Sequence, residues 1–230
     1  MKVIPLTKGD IEPVPLSELK QFCRLSSGDI EDASLRRMLR GARTQAEHFA
    51  RIAISPRLWR STFELPYYRQ SGLKNTLVDE DGIIDFVKLR GPLISVEDVT
   101  LFSRMAERIS PPLYGVFPQD NRIVWETPQA QTAAASGLDL ITTRSDVMFD
   151  RDAFMLQVDY IAGYSPIALP NNAPEGAEKL CDAPDDIIEA ICLMVADVYE
   201  HRGEQMAGDL RRAIPSRASR ILKAYWTPAL

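Results

Sequence analysis

Two histidines, three cysteines and two short acidic runs are the side chains of this 230-residue chain whose types invite a chemical reading. His48 and His201 fall in opposite halves of the sequence, each inside a predicted helix whose local pattern already accounts for it. His201 sits in a last turn, where a cation complements the negative helix end. Cys23, Cys181 and Cys192 are odd in number and have no metal-ligand spacing, so buried or incidental thiols are expected rather than a disulfide framework. Asp79, Glu80 and Asp81 precede Gly82 without the spacing of a calcium loop, which predicts a hairpin tip. Asp185 and Asp186 are adjacent carboxylates at a helix start, where acids suit the positive end of the macrodipole. There is no G-x-S-x-G elbow, H-E-x-x-H pair, Walker loop or G-x-G-x-x-G turn. The expectation is a protein that is not an enzyme, with no catalytic residue, no cofactor and no metal.

The elements that would position any site fall into three stretches. The strongest helix signal runs from Asp182 to Arg202, where Ile187, Ile188, Ile191, Met194, Val195 and Val198 recur at helical spacing and Gly203 supplies a stop. A short helix is predicted after Ser17 as N-cap, and a longer one from Asp29 to Phe49. In the longer helix, acids at the start are followed by Arg36, Arg37, Arg40 and Arg43; these are read as a solvated face, or more sharply as a surface for another subunit or for DNA. At Ser55-Pro56 the period changes from helical to two. Trp59 to Leu65, Ile83 to Leu89, Val96 to Phe102, Arg122 to Glu126 and Phe154 to Tyr160 give about five strands. Gln129 to Gly137 and Ser165 to Pro184 read as loops.

This order predicts an α+β fold: a helical body with an inserted antiparallel β-rich region and an extended C-terminal tail. The expected divisions are 1–57 for the N-terminal helical part of the body, 58–164 for the β-rich region, 165–202 for a loop and the long core helix, and 203–230 for the tail. The tail carries five bases, Arg211, Arg212, Arg217, Arg220 and Lys223, against Glu204 and Asp209. The net charge of −5 argues against a surface that grips nucleic acid everywhere, while leaving room for a local basic patch. No apolar run is long enough to span a membrane, and the first residues lack a signal peptide's apolar stretch, so a cytoplasmic origin is expected.

Segment by segment, the chain resembles the small head-tail connector (adaptor) proteins of tailed bacteriophages and gene transfer agents, the gp6-like or phiE125 gp8-like connectors. The pieces that carry the resemblance are VPLSELKQFCRL, DIEDASLRRMLRGARTQAEHF, SPRLWRSTFEL, VKLRGPLISVEDVTLF, MLQVDYIAGYS and APDDIIEAICLMVADVYEHRGE, in that order, over residues 14–202 and more weakly through Ile221, Leu222 and Tyr225. The segments 129–148 and 165–181 look longer than the family's compact form.

The resemblance implies a structural role at the virion neck, in a protein made in the bacterial cytoplasm. The chain would form a homo-oligomeric ring, a dodecamer matched to the portal, that extends the DNA channel and joins portal protein to the next neck or tail protein. Double-stranded DNA would pass without sequence-specific binding, and no membrane would be involved. Another neck component, such as a tail terminator or stopper, is the nearest alternative; a hydrolase or a regulatory DNA-binding module would need a convergent pocket or a recognition helix that the sequence does not advertise. The subunit interface is expected at Arg36, Arg40 and Arg43 against Asp185, Asp186 and Glu189. The portal interface is expected in the tail, at Arg211, Arg212, Ile221, Leu222, Tyr225 and Trp226, ordered only on docking.

Overall fold

The computed structural model describes residues 2–25, 32–64, 86–103, 105–109, 114–125, 153–170, 172, 174, 176–201 and 214–226. It divides into two compact units, one of Met1–Lys8 with Arg57–Ala162 and one of Gly9–Pro56 with Gly163–Ala229. The first is built of strands and the second of helices, so the fold is α+β.

In the sheet unit, β1 (Lys2–Pro5), β2 (Arg57–Glu64), β4 (Leu93–Ser103), β5 (Arg108–Ile109) and β8 (Ala153–Ala162) make an antiparallel sheet in the order β1-β2-β8-β4-β5. Alternation sets its register. Trp59, Ser61 and Phe63 on β2 stand opposite Tyr160, Val158 and Leu156 on β8, and all six are buried; the intervening Arg60 stands opposite Asp159 on the other face. A second antiparallel sheet orders β3 (Phe86–Lys88), β7 (Arg122–Trp125) and β6 (Tyr114–Phe117), with Ile123 fully buried. Asn121, at φ 55°, starts β7 and accepts from Leu89 N through its carbonyl and from Leu93 N through its side chain, each at 2.8 Å. Gly91 passes so close that an added methyl would lie 2.2 Å from the Asn121 amide.

The helical unit packs α1 (Leu16–Phe22), α2 (Asp32–Ala50), α3 (Asp185–Glu200) and α4 (Ser216–Ala224) around one core. Leu35, Leu39, Ala42, Ala46 and Ala50 form the apolar stripe of α2, and Ile187, Ala190, Ile191, Met194 and Val195 that of α3. Burying a large aliphatic side chain contributes about 1.5–3 kcal/mol before entropy is subtracted, so the stripes of α2 and α3, together with Leu16, Leu19, Ile54 and Leu222, stabilise the unit.

Several boundaries differ from the sequence reading. The described residues contain eight strands rather than about five, because β1, β5 and β6 are too short to show a period; β1 forms only against the distant β2, while β5 and β6 pair with their chain neighbours β4 and β7. Residues 2–5 therefore belong to a strand, not to the helical body. Ser17 lies inside α1, whose N-cap is Pro15; Leu16 N is instead satisfied by Glu178 Oε2 at 2.9 Å, from far along the chain. α3 starts at Asp185 rather than Asp182, with Pro184, at ψ 142°, as its N-cap, and ends at Glu200 rather than Arg202. Val198 is 48% exposed, since the buried run of α3 ends at Val195. Residues 214–226 are not an extended tail: they hold α4, whose Ala218 and Leu222 are fully buried in the core of their own subunit. The acidic run 79–81 and the segment 126–150 lie outside the described residues.

Candidate functional site

The most connected polar group in the helical unit is Arg43, 2% exposed, on the same side of α2 as Leu39 and Ala46. Its Nε donates to Glu12 Oε2 at 2.8 Å and its Nη2 to Gly9 O at 3.2 Å, while Nη1 lies 3.6 Å from Glu47 Oε2. Glu47, 1% exposed, accepts backbone N–H bonds from Ile54 (2.9 Å) and Ser55 (3.1 Å) through its other oxygen. Glu12 extends the network through its backbone, donating to Lys179 O and accepting from Cys181 N, each at 3.1 Å. One guanidinium thus ties residues 9–12, α2 and the loop 52–55 together, and Glu12 hands the tie on to residues 179–181. Burial raises the Glu12 carboxyl above its ordinary range, with Arg43 opposing the shift. The node holds three charges, two negative and one positive, paired within the chain, and Arg43 Nη1 is buried with only the ion pair to Glu47 and no hydrogen bond; such an arrangement is structural. Arg43 is therefore not available to an adjacent subunit, contrary to the sequence expectation.

The remaining residues singled out by sequence are dispersed. Arg36 pairs with Glu178 at 2.9 Å, beside a cleft of about 360 Å³ whose lining interleaves Asp10, Glu12 and Glu178 with Arg36, Arg40 and Lys179. That lining offers neither histidine nor thiol. Arg40 is exposed and has no ion pair among the described residues. Asp186 Oδ1 accepts from Tyr225 Oη at 2.6 Å, and Glu189 pairs with Arg217, so these two acids fasten α4 onto α3 at the surface; Asp185 and Asp186 are both exposed. Burial, reinforced by Asp186, pushes the Tyr225 phenol up to about 12. Ile221 is half-buried and Leu222 fully so, which removes Leu222 as an external anchor. Trp226 is 48% exposed, with the Arg51 guanidinium 5.7 Å from its ring centroid. Arg211 and Arg212 lie outside the described residues.

Cys181 and Cys192 are buried thiols pushed up to about 12 by burial, and Cys181 donates to Ile54 O at 3.6 Å. Among the described residues no three His, Cys, Asp or Glu side chains converge as they would around a metal ion. No described helix is long and apolar enough to cross a membrane.

No protein-family model and no curated protein matches the chain. Solved structures do. A chain from the neck of an empty gene transfer agent (GTA) particle computed with C6 symmetry aligns at TM-score 0.56 and 19% identity, covering 100% of this chain and 97% of the other. A chain from the virion of a native GTA particle gives 0.58 and 17%, and one from the neck of a native GTA particle computed with C12 symmetry gives 0.51 and 16%, each at the same coverage. The chain shares its fold with these GTA chains. Coverage over the whole of both chains means that the likeness takes in the sheet unit and the helical unit alike, including α4. Sequence reasoning missed the Arg43 node, although its signal was present: Arg43 and Glu47 stand four apart inside the apolar stripe of α2, where an acid and a base survive only as partners.

Proposed function

We propose that the chain is a structural subunit of a particle neck, a connector that assembles as a ring between the portal and the next neck or tail protein of a gene transfer agent or tailed phage. The observation that carries this reading is the fold likeness to GTA neck chains over the full length of both proteins. The buried polar groups support it, since Arg43, Glu47 and Glu12 are spent on holding loops together and the described residues bring no three His, Cys, Asp or Glu side chains together as around a metal ion. Twelve copies fit the C12 symmetry of one of those necks. In this arrangement Asp185 remains the charged candidate for lateral contact, and the exposed Arg220 and Lys223 of α4, with Trp226 just beyond it, are the candidates for the portal. Imaging of particles from cells that lack the gene tests the proposal. Filled heads without the neck layer below the portal, restored by the wild-type gene, are the expected outcome; complete necks in its absence would overturn it.

A further inference from the structure

We infer that the exposed face of α2 is a contact surface for the phosphate backbone of double-stranded DNA. It deepens the neck reading and rests on it only for the choice of polyanion. Arg36, Arg37, Arg40 and His48 are exposed along α2, Arg51 follows at its C-terminal end, and no exposed position of the helix is acidic. The two carboxylates that α2 does contain are withdrawn: Asp32 pairs with Lys20 at 2.5 Å, and Glu47 is buried beneath the Ile54 and Ser55 amides. Arg36 is partly neutralised by Glu178 and Arg40 borders the same cleft as Asp10 and Glu12, so the face is centred on Arg37, with Arg40 beside it. This concentration of positive charge occurs in a chain of net charge −5, so it is local rather than a reflection of composition.

Two observations favour phosphate over a protein partner. A protein interface requires an apolar centre that excludes water, yet the exposed positions of α2 present no side chain larger than alanine that is not polar. A phosphate backbone requires only cations and counterion release. In addition, two of the three acids expected to face a second copy, Asp186 and Glu189, are engaged by Tyr225 and Arg217 of their own chain, which leaves Asp185. At about 1.5 Å per residue, 19 helical residues run for about 28 Å, enough to follow several phosphates. Few arginines without base-reading groups give weak, sequence-indifferent contact, suited to DNA that must slide past.

The test is fluorescence anisotropy of the purified full-length protein with two unrelated duplexes of about 30 base pairs, titrated from about 50 to 200 mM salt. The expected result is equal affinity for both duplexes, a fall of affinity with salt, and at least about tenfold weaker binding by the Arg37→Glu, Arg40→Glu double variant at the lowest salt. The single reversal Arg108→Glu, on the sheet unit, should leave binding unchanged. Circular dichroism melting of the double variant checks that it is folded. Absence of binding by wild type at low salt, or equal binding by wild type and the double variant, overturns the inference. If wild type ignores DNA while the double variant fails to enter necks, the face belongs to an acidic protein partner instead. Necks that form normally with the double variant leave the connector reading intact whichever way the DNA result falls.

Discussion

Arg43 and Arg60 make similar forks to carboxylates in the two units, and they do opposite work. Arg60 on β2 donates through Nε and Nη2 to the two oxygens of Asp159 on β8, both at 2.7 Å, across a register that the sheet already fixes; its side chain is 34% exposed. Arg43 is buried and joins segments that no regular backbone ladder would otherwise hold together. Among the described residues the sheet unit buries no charged residue fully, although Arg57 and Arg90 lie over the ring of the buried Trp59, while the helical unit places an ionic node in its interior. Where strands set the geometry, an ion pair is an addition; where loops must be drawn together, it is the fastening.

Several substitutions would break or sharpen that contrast. The largest expected effect is that of Arg43→Met, which removes the cation that Glu47 and Glu12 share and should cost about 3–5 kcal/mol in denaturant unfolding; a loss near zero would mean the node is replaceable. Leu222→Ala removes the deepest side chain of α4 and should cost about 2–4 kcal/mol, with faster amide exchange in α4 than in α3. Arg60→Ala, exposed and screened, should cost only about 0.5–1 kcal/mol, and a salt titration should shrink that further. Glu12→Gln is the gentlest, because Arg43 keeps Glu47 as its counter-ion. The carboxyl of Glu12 is raised above 4.5 in the folded chain, so folding favours its protonated form. Stability is therefore greatest below that value and declines as pH rises from 4.5 through the raised folded value. Unfolding curves over this range should show wild type losing ground relative to Glu12→Gln; the opposite slope would place the Arg43 attraction above the burial cost.

Much of the architecture was legible because long elements announce their period. The stripes of α2 and α3 and the alternation of β2 and β8 needed no knowledge of their partners. What remained hidden depends on distant sequence: the four residues of β1 become a strand only against Arg60 and its neighbours, and Leu16 N finds its acceptor in Glu178. The terminal helix shows the limit most clearly. Ile221, Leu222 and Tyr225 were recognised as one apolar edge, yet an amphipathic segment does not say whose surface it covers, and the nearest one belongs to its own chain. The node escaped notice for a different reason: Arg43 was read with Arg36, Arg37 and Arg40 as part of a charge run, although it alone falls on the buried side.

Gly163, at φ 142°, lies so close to Pro56 that an added methyl would sit 2.4 Å from the proline Cα, and Gly9 presses in the same way on the Ser55 hydroxyl. The points at which the chain leaves and re-enters the helical unit are therefore neighbours, pressed backbone to backbone. A gene fused directly from Pro56 to Gly163 would need almost no linker, and because β1 belongs to the same sheet as β2, residues 2–5 would have to be traded together with 57–162.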